Sequence, residues 1–415
     1  MESKEHSRAK LKAILHDTHV WWSLGIAIAI LCLCYLFNNI AYSPRLSTNK
    51  YTHFEHFYRA HNIGADLDDV VFVNVSYDKM LIPGMKEQPG MVPVIDTNRK
   101  CSITDRKRLL DFLKRVENTD YNYLLIDLLF ILDGKSGHTE YDSELTEQLL
   151  KMRNVAIAKH WDMDNNRPYP MTDSRMEPLG CYCDFIESKS NAGFRNYQYL
   201  QHGENSIALQ LYNHATNRSI TRHGLLYFDG CRLCQNARFL TIHTSLENEW
   251  QDEIWHNYQN MTDLLYDTNH WNSFRDHING KYLIVGDMKE DLHDTYANAQ
   301  PGAYLHYLGF TSLLHGKHFI PWWYRILLLV VYFFIIYTIL QGLRKVDTHR
   351  RPLRWISQRP LLHFLCSLLG YGVILLILSA LLYLFFDIAY NVMIPSICFA
   401  LISHFVQFKR MRENT

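Results

Sequence analysis

Uncharged apolar runs stand at both ends of the chain and predict membrane helices. The first is 20–37 (VWWSLGIAIAILCLCYLF), which is 18 residues without a charge. At about 1.5 Å per residue, a helix of this length crosses most of a bilayer core. Three further runs follow near the other end, at 324–343, 361–386 and 388–408. The pattern therefore predicts four transmembrane α-helices, one before and three after a large central region.

Two alternatives to membrane spans were weighed. The run 20–37 could be a cleaved signal peptide, but the apolar part of a signal peptide is usually shorter and no clear A-x-A site follows Phe37. The three later runs could be core helices of a soluble protein. Three uncharged runs of this length favour the membrane instead.

Basic residues in the short segments predict the orientation. Lys and Arg are concentrated in 1–19, in 344–360 and in 409–415, whereas 387–391 has neither. With four spans these three basic segments fall on one side of the membrane, which the positive-inside rule makes the cytoplasm. We therefore expect both termini to be cytoplasmic and residues 38–323 to lie outside.

The central region alternates strand-like and helical patterns. Strand, helix, strand, helix and strand in this order indicate βαβ units. We therefore expect an α/β domain with a mostly parallel sheet across 38–323. Residues 161–280 are less readable and show neither a domain boundary nor an internal repeat. The predicted strands are 70–75, 123–131, 155–158 and 281–286, and the predicted helices are 104–118 and 143–152.

Three aspartates fall at or near the carboxyl ends of predicted strands, namely Asp78, Asp127 and Asp287. Ligands of open parallel sheets bind beyond these ends. The three side chains are therefore candidates for a ligand pocket.

The richest polar cluster follows the last of these strands. Asp287, Asp291, His293 and Asp294 are close in sequence, and His306 is not far behind. Carboxylates and imidazoles suit a bound ligand, a divalent metal, or a general acid and base. A capped turn, in which Asp side chains accept from loop N–H groups, is the alternative that needs no ligand. We add His293 and Asp294 to the candidate pocket residues.

Composition and motifs exclude several classes of function. Lys and Arg number 42, as do Asp and Glu, so the net charge is near zero and a basic nucleic-acid binder is excluded. No G-x-S-x-G, H-E-x-x-H or G-x-G-x-x-G motif is present. The sequence therefore assigns no catalytic residue, no metal ligand and no cofactor.

The cysteines of the central region leave several alternatives open. Cys181 and Cys183 form a C-x-C pair, Cys231 and Cys234 form a C-x-x-C pair, and Cys101 stands apart. The two pairs could form disulfides in an oxidising compartment, a four-thiolate zinc site, or free thiols. A redox role for the C-x-x-C pair is the remaining alternative.

The order of parts resembles the type-2 CHASE sensory proteins of bacteria. In these, one span, an external α/β domain of this size and three closely spaced spans follow one another. The resemblance is carried by the apolar-Asp element at 124–127, by KYLIVGD at 281–287, and by the D-T, P-G and H positions within 294–306. It covers about 38–408, with gaps across 161–280.

The chain also departs from that pattern. Tyr296 stands where the family commonly has Pro, and Tyr307 where a small residue is common. Family members often carry a catalytic output domain after the last span. The seven residues 409–415 that follow the last predicted span cannot supply one.

The resemblance implies a non-enzymatic sensor of the bacterial inner membrane. Its periplasmic domain would detect an unknown small-molecule or protein ligand, and its helices would signal to a separate cytoplasmic or membrane effector. Whether it forms a homodimer is left open. Two alternatives remain: an envelope enzyme or metal-binding protein using Asp287, His293 and Asp294, and a membrane scaffold protein.

Overall fold

The structure, a computed structural model, describes residues 18–38, 67–86, 94–130, 139–162, 165–185, 196–239, 258–294, 299–342, 359–386 and 392–413. They belong to two compact units. The α/β unit lies within Thr52–His318, and the helical unit combines parts of Met1–Tyr51 and Phe319–Thr415. The predicted basic segments at 1–17 and 344–358, and the predicted turn at 387–391, lie outside the described residues.

The first half of the chain holds the described elements α1 (Thr18–Asn38), β1 (Val70–Asn74), β2 (Lys79–Lys86), β3 (Val94–Thr104), α2 (Arg106–Val116), β4 (Tyr123–Leu129), α3 (Asp142–Lys151), β5 (Val155–Lys159), β6 (Trp161–Asp162), β7 (Arg167–Pro168), a 3-10 turn (Ser174–Leu179), β8 (Gly180–Tyr182), β9 (Asn196–Gln198), β10 (Leu200–Gln201) and β11 (Glu204–Asn205).

The second half holds α4 (Ile207–Thr216), β12 (Ile220–His223), β13 (Leu226–Asp229), β14 (Arg232–Cys234), β15 (Ala237–Phe239), β16 (Tyr258–Asn260), α5 (Met261–Tyr266), α6 (Thr268–His277), β17 (Tyr282–Gly286), β18 (Leu292–Asp294), β19 (Ala299–Pro301), α7 (Gly302–Leu314), α8 (Trp322–Gly342), α9 (Pro360–Phe386) and α10 (Met393–Glu413).

A six-stranded parallel sheet organises the α/β unit. Its strand order is β16-β1-β17-β4-β5-β8, and each neighbouring pair is parallel. The predicted α/β class with a mostly parallel sheet is thus confirmed. Because the strands are parallel, their carboxyl ends share one edge. The smaller ribbons, including the β2–β3 and β18–β19 hairpins, are antiparallel.

Helices cover both faces of this sheet, as uniformly buried strands require. On one face, Val71 and Leu283 belong to the same core cluster as Leu109 of α2 and Leu264 of α5. On the other face, Phe72 packs edge-on against Tyr307 of α7 with ring centroids 6.0 Å apart. The result is a three-layer α/β/α arrangement in which both faces are closed and the edge of the sheet is left for a site.

The helix α2 illustrates how the sequence builds this layer. Asp105 caps it, with its side chain accepting from the backbone N–H of Arg108 at 3.1 Å. Its apolar positions recur at helical spacing and are buried against the sheet. Arg106 stands on the same buried face, which gives the helix an unusual cation at its start.

The helical unit contains three helices long and apolar enough to cross a membrane. Their apolar segments are Thr18–Phe37, Trp322–Gln341 and Leu361–Leu382. Tyr332 of α8 packs edge-on against Phe399 of α10, with centroids 5.3 Å apart. The apolar part of α10, Met393–Lys409, is shorter than the other three. The fourth predicted span therefore stays a prediction.

Candidate functional site

A cavity of about 250 Å³ with several charged lining residues opens at the carboxyl edge of the sheet. It is lined from β4, from the residues just after β5, β8 and β17, and from the β2–β3 hairpin. This is the location that the parallel topology favours for a ligand. Its charged or titratable lining residues are Lys79, Arg106, Asp127, His160, Cys183, Asp287, Asp291 and His293.

Asp127 is the buried carboxylate of this cavity. It belongs to β4, whose register with β5 shifts between Ile126 and Leu129. Its side chain is 7% exposed, and Oδ1 lies 3.6 Å from His306 Nε2. Among the described residues, Oδ2 has no hydrogen-bond partner. Burial, and next the neighbouring Asp291, raise the pKa of Asp127 to about 7.

His306 is held as a neutral imidazole beside Asp127. It lies in the buried helix α7, and its Nδ1 is 2.7 Å from Tyr197 Oη. Tyr197 Oη accepts from the backbone N–H of Ala208 at 3.3 Å and can give its own proton to the ring. That arrangement leaves the imidazole proton on Nε2, facing Asp127. Burial lowers the pKa of His306 well below its ordinary value.

Gly302, the first residue of α7, is where further polar atoms converge. A Cβ at this position would lie 2.6 Å from Asp291 Oδ2 and 3.3 Å from both Asp127 Oδ2 and His293 Nε2. Its backbone N–H donates to the Asp291 carbonyl at 3.0 Å. His293 Nε2 lies 3.3 Å from Asp291 Oδ1. The absence of a side chain at Gly302 therefore lets two carboxylates and an imidazole approach one another.

Arg106 brings a buried positive charge to the cavity. Its side chain is 2% exposed, and Nη2 donates to the Leu129 carbonyl at 2.9 Å. The guanidinium lies over the Phe130 ring, 4.1 Å from the centroid. Nε and Nη1 have no hydrogen-bond partner in the described part of the chain, and the carboxylate of Asp142 is 3.9 Å from Nε. Burial lowers the pKa of Arg106 to about 10, opposed by Asp142.

Asp287 also lines the cavity, but its carboxylate is already satisfied. It binds Lys79 Nζ, accepts from Ser76 Oγ at 2.5 Å, and accepts from the backbone N–H groups of Lys289 and Glu290. Burial alone would raise the pKa of Asp287, but these donors, led by Lys79, lower it below its ordinary value. The capped-turn alternative therefore describes Asp287 well.

Asp78 is bound through one of its two oxygens, while its Oδ2 has no hydrogen-bond partner among the described residues. It is fully buried, and its Oδ1 accepts from Arg108 Nη1 at 2.9 Å and from Thr262 Oγ1. Asp78 is not among the described residues that line the cavity. It ties the turn after β1 to α2 and α5, so its observed contacts are structural.

A third polar group follows β5 and β8. His160 Nδ1 lies 2.5 Å from Asp184 Oδ1, and His160 Nε2 lies 3.4 Å from Cys183 Sγ. Both His160 and Cys183 line the cavity. Burial, then the carboxylates of Asp127, Asp184 and Asp291, raise the pKa of the Cys183 thiol well above its ordinary value.

The structure separates the sequence-predicted residues into three groups. Asp127, Asp287 and His293 line the cavity, Asp78 lies apart, and Asp294 is on β18 opposite Ala299. The sequence analysis missed Arg106, Lys79, His160 and Cys183 as lining residues. Arg106 had a signal: it lies three and four residues before the buried Leu109 and Leu110, so it falls on the apolar stripe of its helix.

The two cysteine pairs of the sequence analysis lie in different sheets. Cys181 is in β8 of the six-stranded sheet and Cys183 follows it, whereas Cys234 ends β14 of the separate β12–β14 sheet and Cys231 precedes that strand. All nine cysteines lie in the described residues, and the structure joins none of them by a disulfide. The zinc, free-thiol and redox alternatives stay predictions.

The metal alternative gains no support from the described residues. Among them, no group of three or more His, Cys, Asp and Glu side chains is arranged to hold a metal ion. Comparisons with protein-family models, with curated proteins and with solved structures gave no match to this chain, so its function is inferred from the geometry of the site.

Proposed function

We propose that the chain is a membrane-anchored sensor whose α/β unit binds a small polar ligand in the cavity. The observation that carries this proposal is the state of Asp127 and Arg106. Both are buried charged groups that line one cavity, and each has atoms without a hydrogen-bond partner among the described residues. Leaving such atoms unpaired costs about 1–3 kcal/mol each, and more for charged groups. A ligand that pairs them recovers this cost.

Membrane anchoring places the ligand site outside the cytoplasm in this proposal. The three long apolar helices and α10 would cross the inner membrane of a bacterium, with both termini in the cytoplasm and the α/β unit in the periplasm. The distribution of Lys and Arg and the resemblance to type-2 CHASE proteins support this orientation. Ligand binding would shift the populations of two helix arrangements.

The proposed output is a separate cytoplasmic or membrane effector. The basic segment 344–360 would be the contact for that effector. The chain itself is not an enzyme in this proposal, and it uses no cofactor. A membrane scaffold would instead hold its partners through the helices whether or not the cavity is filled.

The membrane topology and the ligand binding are tested separately. Alkaline phosphatase inserted at Gly224, in an exposed turn, should be active, while a fluorescent protein fused after Thr415 should fluoresce. Full-length protein in detergent should carry a small molecule in native mass spectrometry. Asp127→Asn should lose that molecule, whereas Asp120→Asn, on an exposed surface pair with Arg153, should keep it. An inactive phosphatase insertion would contradict the proposal.

The signalling part is tested in cells with a photo-crosslinking amino acid at Arg351 or Arg354. A single partner should be captured, and the Asp127→Asn background should change the yield. Equal yields in the two backgrounds would favour the scaffold alternative, because a scaffold does not depend on the cavity. The same label at Tyr266, which is exposed on the α/β unit, is the control position.

A second candidate function is thiol chemistry at Cys183. The distances from Cys183 to His160 and from His160 to Asp184 are those of a nucleophile, a base and an orienting carboxylate. Such a group would perform acyl transfer on a substrate in the cavity. The raised pKa keeps Cys183 protonated at rest, so His160 would have to take the thiol proton during attack.

Alkylation of the full-length protein distinguishes this candidate. Both Cys183 and Cys234 are buried, but Cys183 lines the cavity, so iodoacetamide should modify it faster than Cys234. His160→Ala should slow the reaction at Cys183 about tenfold or more. Peptide mapping assigns the modified thiol. Equal rates at Cys183 and Cys234 would remove thiol chemistry and leave the sensor.

A further inference from the structure

We propose that the ligand is a small zwitterion that carries a carboxylate and an ammonium group, in the simplest case an α-amino acid. This inference rests on the proposed sensor function and names the class of molecule it would detect. It follows from which charges around the cavity are already paired, from the atoms left over, and from the size of the space.

The charged lining residues divide into paired and unpaired groups. Lys79 binds Asp287 and also lies 3.2 Å from Glu290, so neither Lys79 nor Asp287 needs a ligand. Arg106 and Asp291 each have an ionic neighbour, Asp142 at 3.9 Å and His293 at 3.3 Å. What remains without a hydrogen-bond partner among the described charged lining residues is two nitrogens of Arg106 and Oδ2 of Asp127. A ligand with charges of both signs complements this set, whereas an ion of one sign complements half of it.

Arg106 is suited to the carboxylate. Its contacts with the Leu129 carbonyl and the Phe130 ring fix the plane of the guanidinium. Nε and Nη1 then present N–H groups that no described residue accepts. Arginine donates charge-assisted hydrogen bonds to carboxylates, and these are about twice as strong as neutral ones. Arg106 is thus a pre-positioned donor for an anionic group.

The start of α7 is suited to the ammonium. Asp127 Oδ2 and Asp291 Oδ2 lie 3.3 Å and 2.6 Å from the Cβ position of Gly302, so two carboxylate acceptors converge beside this glycine. His293 Nε2 lies 3.3 Å from Asp291 Oδ1, where it can donate to that carboxylate. An ammonium group has three N–H donors. A cation here would also offset the repulsion between Asp127 and Asp291.

The two ends of the site are close along the chain. Arg106 binds the carbonyl of Leu129, which is two residues beyond Asp127 on β4. The cavity of about 250 Å³ is smaller than the roughly 300–1,000 Å³ of pockets for drug-sized ligands. Both facts favour a ligand in which few bonds separate the two charged groups.

The test is calorimetric titration of full-length protein in nanodiscs with L-alanine, L-serine and glycine. Propionate and propylamine are the matched probes that carry a single charge. At least one amino acid should bind, and at least tenfold more tightly than either single-charge probe. Asp127→Asn and Arg106→Lys should each weaken binding tenfold or more, while Asp120→Asn should leave it unchanged.

The pH dependence provides a second readout. Asp127 faces His306, Asp291, His293 and His160, and in the empty site it must lose its proton before it can bind an ammonium group. Affinity should therefore fall below pH 7, with a proton released on binding in that range. In Asp127→Asn this pH dependence should be absent.

Several results would overturn the inference. If propylamine bound as tightly as L-alanine, Arg106 would not be used for a carboxylate. If propionate bound as tightly as L-alanine, Asp127 would not be used for an ammonium group. If none of the three amino acids gave a calorimetric signal when titrated to millimolar concentration, the inference would also be rejected. A co-purified ligand without both charges would reject the zwitterion and leave the sensor standing, whereas an inactive phosphatase insertion would reject the sensor itself.

Discussion

Asp78 and Asp127 stand near the ends of β1 and β4 at one edge of the same sheet, but with different partners. Both are buried, and Oδ2 of each has no hydrogen-bond partner among the described residues. Arg108 and Thr262 donate to Oδ1 of Asp78, whereas Oδ1 of Asp127 lies 3.6 Å from the neutral His306, and burial raises the pKa of Asp127. The difference shows that burial of a carboxylate does not identify a site. The donors around it decide whether it stabilises the fold or is kept for a ligand.

The largest expected effect is the response of Asp127 to pH. In the unfolded chain its pKa is about 3.9, whereas it is about 7 in the folded chain. Between these values the folded chain holds a proton that the unfolded chain has lost. The free energy of unfolding should therefore be highest below pH 4 and should fall as pH rises through 7, by on the order of 3 kcal/mol.

Asp127→Asn should remove that pH dependence and make the protein more stable than the wild type at pH 8. Urea pulse proteolysis of the full-length protein in detergent, at pH 5 and pH 8, measures both. Equal slopes with pH in the variant and the wild type would show that folding does not raise the pKa of Asp127.

The same substitution at Asp78 should act in the opposite direction. Asp78→Asn leaves Arg108 facing a neutral group, which should cost about 2 kcal/mol. This is less than the ~3–5 kcal/mol of fully buried pairs, because the Arg108 side chain is 36% exposed. Pulse proteolysis at pH 7 is the measurement. If Asp127→Asn destabilised the protein as much as Asp78→Asn, the two carboxylates would not differ in their contribution to stability.

A smaller effect is expected at the start of α7. Gly302→Ala places a methyl group 2.6 Å from Asp291 Oδ2. Asp291 is 44% exposed and can turn away, so the cost to stability should be about 1 kcal/mol, within the range of overpacked sites. Amino-acid binding should weaken by at least tenfold, since the carboxylates of Asp127 and Asp291 no longer converge. Gly370→Ala, which has open space around it, is the control.

The smallest effect is expected at an exposed pair. Asp120→Asn breaks a salt bridge with Arg153 in which both side chains are more than half exposed. Such pairs contribute about 0–1 kcal/mol, so the pulse-proteolysis midpoint should barely move. A large shift would mean that surface charge, rather than the donors around each buried carboxylate, governs the stability differences.

The sequence predicted the class of fold because β1, β4, β5 and β17 are long enough to show as apolar runs. It missed β8 and β16, which have three residues each and carry little pattern. It also could not order the strands. All four apolar runs are buried on both faces, so none of them indicates its neighbours.

Part of the site could also be predicted, because a polar residue is visible in the sequence where it interrupts or follows an apolar run. Asp127 is visible as a charge inside an apolar run, and His293 follows a strand end. Arg106 and the contact of Cys183 with His160 depend on which elements meet in space. Spacing along the chain grouped Cys183 with other cysteines, because C-x-C pairs can serve disulfides or metals; its contact with His160 is visible only in the structure.

The position of β17 has a consequence for how the α/β unit is completed during synthesis. The strand β17 comes last among the six but pairs with both β1 and β4. Until residue 286 has emerged, these two strands have no common neighbour and the middle of the sheet is missing. A nascent chain that ends before β17 therefore lacks a central strand of the sheet rather than an edge strand. Such a fragment cannot build the sheet by adding strands one after another to a single nucleus.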